Sequence, residues 1–151
     1  MSNTKISDKY ACIQLKNQIC FPLYACAKEI VRQYRKPLEE LSLTYTQYIV
    51  MMVLWEYGEM TEGDLGKIVY LDSGTLAPLL KRLEKMGYIN RIRPDDNERK
   101  LLISLTKEGK ALRDRALEVP KTMDGCIDLS EQELIQLKSL LDKALNTWRD
   151  N

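Results

Sequence analysis

The stretch TEGDLGKIVYLDSGTLAPLLKRLEKMGYINRIRPDDNERKLLISLT, residues 61–106, decides the fold of this chain. It predicts a short helix, a tight turn, a second helix and a two-stranded hairpin with a charged tip. Thr61 with Asp64 opens the first helix, and Asp72 caps the second. Gly87 ends the second helix. This order of elements predicts a mainly α fold with a small two-stranded β wing, a winged helix-turn-helix.

The segment before this stretch is predicted to be largely helical. Apolar residues recur near helical spacing over residues 8–35, and Pro22 is expected to interrupt that helix by removing one backbone hydrogen bond. A short connecting segment from Pro37 to Leu43 follows.

Further helix boundaries can be read on either side of residues 61–106. Thr44 with Gln47 forms a capping-box pattern, which predicts a helix that runs to a stop at Gly58. Thr106 is expected to start another helix, which breaks near Pro120.

Ser130 with Glu133 predicts a last helix by the same capping-box pattern. Its apolar stripe, expected to be buried, consists of Leu134, Leu137, Leu141, Leu145 and Trp148. The terminal helices carry more apolar surface than a winged helix covers, so they form either intrachain core or, as we prefer, a homodimer interface. We therefore expect a single domain, residues 1–151, with the winged helix-turn-helix at 44–106 and dimerisation helices at 8–43 and 107–151.

Composition excludes several classes of function. Histidine is absent, and the four cysteines show no Cys-x-x-Cys spacing. Catalytic Ser-His-Asp or Cys-His groups and histidine-based zinc sites are therefore excluded. The seven glycines are scattered, so no glycine-rich phosphate loop is present. The prediction is a protein that is not an enzyme and holds no metal or cofactor.

The chain has 151 residues, a hydrophobic fraction of 44% and a formal net charge of +1, which suits one globular domain. Its polar start, MSNTKISDKY, lacks the apolar core of a signal peptide. The best apolar run, Tyr48 to Trp55, is far shorter than the roughly 20 residues of a membrane span. We expect a cytoplasmic protein without a membrane partner.

Double-stranded DNA is the expected partner, because basic residues concentrate around the second helix and the hairpin. Ser73, Gly74 and Thr75 begin that helix, where free backbone N–H groups and hydroxyls meet phosphates or base edges. Arg99, in the wing, is placed to enter an adjacent minor groove. The other candidate contacts are Lys81, Arg82, Arg91 and Arg93.

Two pairs of segments carry a resemblance to a known family. LDSGTLAPLLKRLEKMGYINR (71–91) with DNERKLLISLTKEGK (96–110) resembles the recognition helix and wing of MarR-family transcriptional regulators. QICFPLYACAKEIVRQY (18–34) with LTYTQYIVMMVLWE (43–56) resembles the organic-hydroperoxide sensor branch, the OhrR-like regulators. The resemblance implies a homodimer that binds a near-palindromic operator and carries a reactive cysteine in its first helix, here Cys20.

The wing departs from the family pattern at one position. The usual Asp-x-Arg reads Asn97-Glu98-Arg99 here, so a neutral acceptor replaces a charged one. We expect Arg99 to be aimed less rigidly, unless Asp95 or Asp96 substitutes.

The resemblance also implies a redox site around Cys20. Tyr24 follows Cys20 by one helical turn, and Tyr34 and Tyr45 match family positions whose hydroxyls hydrogen-bond the sulfur. Such donors stabilise the reactive thiolate, which a peroxide oxidises to sulfenic acid. The expected consequence is a shift of the first helix that respaces the recognition helices. The remaining cysteines near the start, Cys12 and Cys26, are expected to be inert core residues.

Cys126 leaves two readings of the oxidised state open. Some family members close an intersubunit disulfide with a second cysteine in this region, which makes Cys126 a candidate resolving cysteine. In the other reading Cys126 only packs, and a low-molecular-weight thiol caps oxidised Cys20.

Three functions follow from these observations. The preferred one is a transcriptional repressor released from its operator when organic hydroperoxides oxidise Cys20. The second is a MarR-type repressor released by a small aromatic ligand, with Cys20 silent. The third is a thiol peroxidase. We rank it last because it leaves the winged helix unexplained.

Overall fold

The computed structural model describes residues 9–97 and 99–148 and is mainly helical. The elements, in chain order, are α1 (Cys20–Glu39), α2 (Tyr45–Tyr57), β1 (Met60–Thr61), α3 (Glu62–Val69), α4 (Ser73–Lys85), β2 (Ile89–Ile92), β3 (Leu102–Leu105), α5 (Lys107–Ala116), α6 (Glu118–Thr122) and α7 (Glu131–Asn146). No helix of the described part is both long and apolar enough to cross a bilayer.

The chain divides into two compact units, Met1–Gln33 and Tyr34–Asn151, which are described separately below. In the first, two short 3-10 turns, Ala11–Ile13 and Leu15–Asn17, precede α1. The predicted helix from residue 8 therefore begins only at Cys20. The predicted interruption at Pro22 is wrong, because Pro22 lies in the first turn of α1, where a missing N–H removes no helical hydrogen bond.

The predicted end of this helix before Pro37 is also wrong. Helix α1 includes Pro37 and ends at Glu39. Leu38, next to the proline, is only 1% exposed, and Leu41 and Leu43 just beyond the helix are buried as well. Burial of this leucine series outweighs the hydrogen bond that Pro37 removes, so the helix continues past its predicted boundary.

The helix-turn-helix is confirmed together with its predicted caps. The Thr44 hydroxyl accepts the Gln47 N–H at 3.3 Å, and the Gln47 side chain accepts the Thr44 N–H at 2.9 Å. Helix α2 ends at Gly58, whose positive φ of 78° suits glycine. The inner faces of these helices form the core, whose most buried members include Val50, Met51, Leu54, Leu65, Leu76, Leu80, Leu83 and Ile103.

The hairpin is confirmed, and a third strand that the sequence did not indicate joins it. β2 pairs antiparallel with β3, and β3 also pairs with β1 in the order β1-β3-β2. Met60 lies opposite Ile103, which is fully buried. The added strand follows α2 closely and pairs with the half of β3 nearest the hairpin loop, so β3 is hydrogen-bonded on both sides there.

The C-terminal helices differ from prediction in two respects. The helix from Thr106 breaks at Leu117 instead of Pro120, and Pro120 lies inside the short α6. The capping box of α7 is confirmed, but the predicted burial of its stripe is not found within one chain. The residues Leu134, Leu137, Leu141 and Leu145 are 37–39% exposed, and Trp148 is 63% exposed.

Candidate functional site

The N-terminus of α4 presents Ser73, Gly74 and Thr75 on the surface. Asp72 caps this end by accepting the Thr75 N–H at 2.9 Å and the Thr75 hydroxyl at 3.1 Å. These hydrogen bonds from Thr75 lower the pKa of the Asp72 carboxyl below its usual value. The helix end therefore carries a negative charge beside the exposed N–H groups of its first turn.

A groove runs from this helix end to the loop between β2 and β3. Ser73 from α4 and Arg93 and Arg99 from the hairpin line the same open space of about 1140 Å³. Lys67 on α3 and Lys100 on the hairpin also line it, two basic residues that the sequence analysis did not select. The sequence offered only their positive charge and their position close to the recognition helix and the hairpin as an indication of this role.

Asn97 orients the backbone of the wing arginine. Its side-chain oxygen accepts the Arg99 N–H at 3.1 Å, and its backbone carbonyl accepts the Lys100 N–H at 3.0 Å. The neutral acceptor therefore shapes the turn at the wing tip, although the family pattern has a charged residue there. Glu98 lies outside the described residues.

Arg91 lies in a different environment from the other residues that were predicted to contact DNA. Its side chain is only 15% exposed and pairs with Glu84 of α4 at 3.2 Å. It does not line the groove that contains Arg93 and Arg99. The structure thus separates Arg91 from the exposed cations with which the sequence grouped it.

A second, smaller hollow lies between the start of α2 and the outer face of α4. Thr75 and Arg82 line it together with Thr44 and Thr46, which the sequence did not indicate as DNA contacts. Lys81 is exposed beside Arg82 on the same helix. Threonine hydroxyls beside an arginine are groups that contact phosphate oxygens in DNA complexes.

A cluster of tyrosines forms a separate feature of the larger unit. The ring of Tyr34 lies 4.7 Å from that of Tyr45 and 6.0 Å from that of Tyr48 between centroids. Burial first, then the neighbouring Tyr45, Tyr48 and Cys126, raises the pKa of Tyr34 above 10.0. Burial also raises the pKa of Tyr45. Both hydroxyls therefore stay protonated and can donate hydrogen bonds.

We expect this cluster to titrate at higher pH than ordinary tyrosines. Absorbance at 295 nm should show a phase above pH 10, and Tyr34→Phe should shrink that phase. Because the folded pKa is raised, the free energy of unfolding should fall as pH rises above the unfolded value of about 10. If Tyr34→Phe removes only absorbance that titrates near pH 10, the burial argument is contradicted.

Two of the remaining predicted redox residues, Cys20 and Tyr24, belong to the smaller unit. Cys20 is the first residue of α1 and is exposed, and Tyr24 lies one turn later with 64% of its surface exposed. Cys12 and Cys26 are exposed too, so their predicted burial is wrong for the single chain. Cys126 follows Gly125 near Tyr34 in the larger unit and is exposed. No group of three or more Cys, Asp or Glu in the described ranges could hold a metal ion.

Comparisons with known proteins agree with this geometry. A family model described as transcriptional regulator SarA/Rot matches residues 32–116. The organic hydroperoxide resistance transcriptional regulator of Bacillus subtilis is 43% identical over 142 residues, which cover 94% of this chain and 97% of that protein. The regulator SarZ of Staphylococcus aureus is 44% identical over 119 residues, which cover 79% of this chain and 80% of that protein.

Solved structures of AbfR from Staphylococcus epidermidis have the same fold. Reduced AbfR bound to DNA superposes with a TM-score of 0.77 at 31% identity, covering 91% of this chain and 94% of that one. Disulfide-formed AbfR superposes with a TM-score of 0.60, covering 91% of this chain and 92% of that one. Both sequence relatives carry the name of a transcriptional regulator. The chain therefore belongs to the SarA/MarR family of winged-helix transcriptional regulators, in the branch that contains the organic-hydroperoxide and SarZ regulators.

Proposed function

We propose that this regulator represses transcription while reduced and leaves its operator when an organic hydroperoxide oxidises Cys20. The observation that carries the DNA-binding part is the groove shared by Ser73, Arg93 and Arg99. One helix end and two wing arginines face the same space, which suits a helix in the major groove with a wing alongside. A protein acting on operator DNA is expected in the cytoplasm.

The charge at the start of α4 selects between two modes of contact. The Asp72 carboxylate repels phosphates, so we propose that Ser73, Gly74 and Thr75 meet base edges in the major groove. Lys81 and Arg82, on the exposed side of the helix, make the phosphate contacts in this proposal. Arg99, with Arg93 beside it, enters the adjacent minor groove.

We propose a homodimer built from the apolar surfaces at both chain ends. The α7 stripe is exposed in the single chain, as are Ile13, Leu15, Ile19 and Leu23 in the smaller unit. Exposed apolar stripes of this kind mark protein–protein interfaces. A second copy related by a two-fold axis contributes the same surfaces to the interface. It also brings a second recognition helix to the DNA, which suits a near-palindromic operator.

The proposed sensing reaction takes place at the Cys20 sulfur. Cys20 is the first residue of α1 and is exposed, so a peroxide can reach its sulfur. The thiolate attacks one peroxide oxygen, so that an S–O bond forms and the O–O bond breaks. The organic product leaves as an alcohol after taking up a proton, and the sulfur is left as sulfenic acid.

Tyrosine hydroxyls assist this step in our proposal. Tyr34 and Tyr45 donate hydrogen bonds to the Cys20 sulfur in the assembled dimer, and Tyr24 lines the site from the same helix as Cys20. The raised pKa values of the paired tyrosines keep both donors protonated, which supports this role. Loss of these bonds on oxidation then shifts α1 and respaces the two recognition helices.

Two thiols can react with the sulfenic acid of Cys20. A thiol displaces its oxygen as water and leaves a disulfide, and the thiol is either Cys126 of the partner subunit or a low-molecular-weight thiol. Exposure of Cys126 beside the tyrosine cluster favours Cys126. Mass spectrometry of the oxidised protein distinguishes a cross-linked dimer from a monomer that carries the small thiol.

Selection from random duplex DNA tests the DNA-binding part. The reduced protein should enrich an inverted repeat with half-sites about 10 bp or a multiple apart. Affinity for the enriched duplex should exceed that for a scrambled duplex by roughly 10³-fold or more and should fall steeply with salt. Enrichment of no sequence would reject the proposed function.

A further inference from the structure

Arg91 occupies an unusual place for a basic residue in a DNA-binding hairpin. In the β2–β3 ladder it lies opposite Ile103, which is fully buried. Directly opposed residues project to the same face of a sheet, so Arg91 projects toward the helices. Its side chain is 15% exposed, which leaves little of it available to a phosphate.

Glu84 in the last turn of α4 is the partner of this arginine. Its Oε2 lies 3.2 Å from a terminal nitrogen of Arg91. The Nε of Arg91 is buried without a hydrogen-bond partner. The contact with Glu84 is therefore the interaction that offsets the cost of burying the guanidinium charge. Loss of Glu84 would leave that cost uncompensated, and we expect Arg91 then to move outward.

The ion pair is the second of two polar attachments between the β2 segment and α4 in the described residues. At the first, the Tyr88 N–H donates to the Leu83 carbonyl at 3.1 Å, and the Gly87 N–H donates to the Glu84 carbonyl at 2.9 Å. Arg91 lies three residues farther along the strand, about 10 Å away. Together with the pairing of β1 to β3, these two attachments hold the hairpin at a defined angle to α4.

We infer that Glu84 and Arg91 are positioning residues that set the angle of the wing to the recognition helix and thereby aim Arg99 at the minor groove. This inference rests on the proposed function and removes Arg91 from the phosphate contacts. The Arg99 end of the hairpin extends another ~10 Å beyond Arg91, so a small rotation at the pair moves the arginine by an ångström or more.

The sign of one mutational effect separates positioning from simple electrostatics. Glu84→Gln removes a negative charge near DNA, so electrostatics alone predicts tighter binding. Positioning predicts weaker binding to the selected duplex, by roughly 10-fold, the loss expected for one misplaced contact. Glu108→Gln is the matched control, because it makes the same change at an exposed acid outside α4 and the hairpin. Its binding should be unchanged or tighter.

A double-mutant cycle with Arg91→Gln gives the second readout. For a positioning pair, Glu84→Gln, Arg91→Gln and the double variant should weaken binding about equally, with the salt dependence of wild type. For an Arg91 phosphate contact, the two single variants should change affinity in opposite directions. Arg91→Gln would then also reduce the salt slope by about one unit. That second pattern overturns the inference.

Hydrogen exchange keeps the pair testable even if the protein binds no DNA. Glu84→Gln should speed exchange of amides in residues 89–92 and 102–105 while leaving those of α2 as in wild type. Unchanged exchange in the hairpin would overturn the inference whatever the DNA result. If no duplex is selected but Glu84→Gln still speeds amide exchange in the hairpin, only the proposed function is rejected.

Discussion

Replacing Gly109 with alanine should destabilise the winged helix more than the same replacement at any other glycine of the chain. The new Cβ would lie 1.9 Å from the Tyr88 carbonyl oxygen and 2.9 Å from its carbon, both backbone atoms. That oxygen already accepts the Thr106 N–H at 3.0 Å, so it cannot withdraw without losing a hydrogen bond.

The same position is tied to a second element. The Gly109 carbonyl accepts the Trp55 Nε1–H at 2.8 Å, which joins α5 to α2. The Thr106 hydroxyl both accepts the Gly109 N–H and donates to the Gly87 carbonyl. Relief of the clash therefore disturbs the junction of α2, the hairpin and α5 together.

Urea denaturation should show a loss of about 3 kcal/mol or more for Gly109→Ala. Gly63→Ala is the matched control, a helical glycine whose Cβ would meet only the Thr61 Oγ1 at 3.9 Å. It should be neutral or stabilise the protein by up to about 1 kcal/mol. A stability of Gly109→Ala close to that of wild type would show that the packing at this junction differs from the one described.

The double variant Leu137→Glu/Leu141→Glu should convert the proposed dimer into a monomer. Both residues lie on the exposed apolar stripe of α7, at 37% exposure each. Two carboxylates in an apolar interface would face a large desolvation cost. The folded chain should remain intact, because no residue of α7 is buried within it.

Light scattering should report a mass near 17.5 kDa for this variant and twice that for wild type. Affinity for the selected inverted repeat should fall by about 100-fold or more, since the two half-sites would be bound independently. Gln136→Glu/Ser139→Glu adds the same charge to the opposite side of the helix and should stay dimeric. A dimeric Leu137→Glu/Leu141→Glu variant would place the interface elsewhere.

Features encoded within a few residues could be predicted from the sequence. The caps at Thr44, Thr61, Asp72 and Ser130 are confirmed, because a cap depends on one side chain and the backbone three residues later. The resemblance in the recognition helix and wing is confirmed by relatives that cover nearly the whole chain.

Features that depend on long-range packing could not be predicted. Strand β1 has two residues and forms only because β3 pairs with it. Pro37 remains helical because the adjacent leucines are buried. Arg91 was grouped with exposed arginines because its partnership with Glu84 exists only once the hairpin folds against α4. The Tyr34–Tyr45 contact joins two helices and leaves no local pattern.

The central claim, that Cys20 is the switch, is tested most directly by fluorescence anisotropy on the selected duplex. Wild type and Cys20→Ser would be titrated reduced, after one equivalent of an organic hydroperoxide, and after reductant, at one salt concentration. We predict that oxidation releases only wild type and that reductant restores its binding. Binding by both variants with release of neither would contradict the claim and favour a regulator released by a small aromatic ligand.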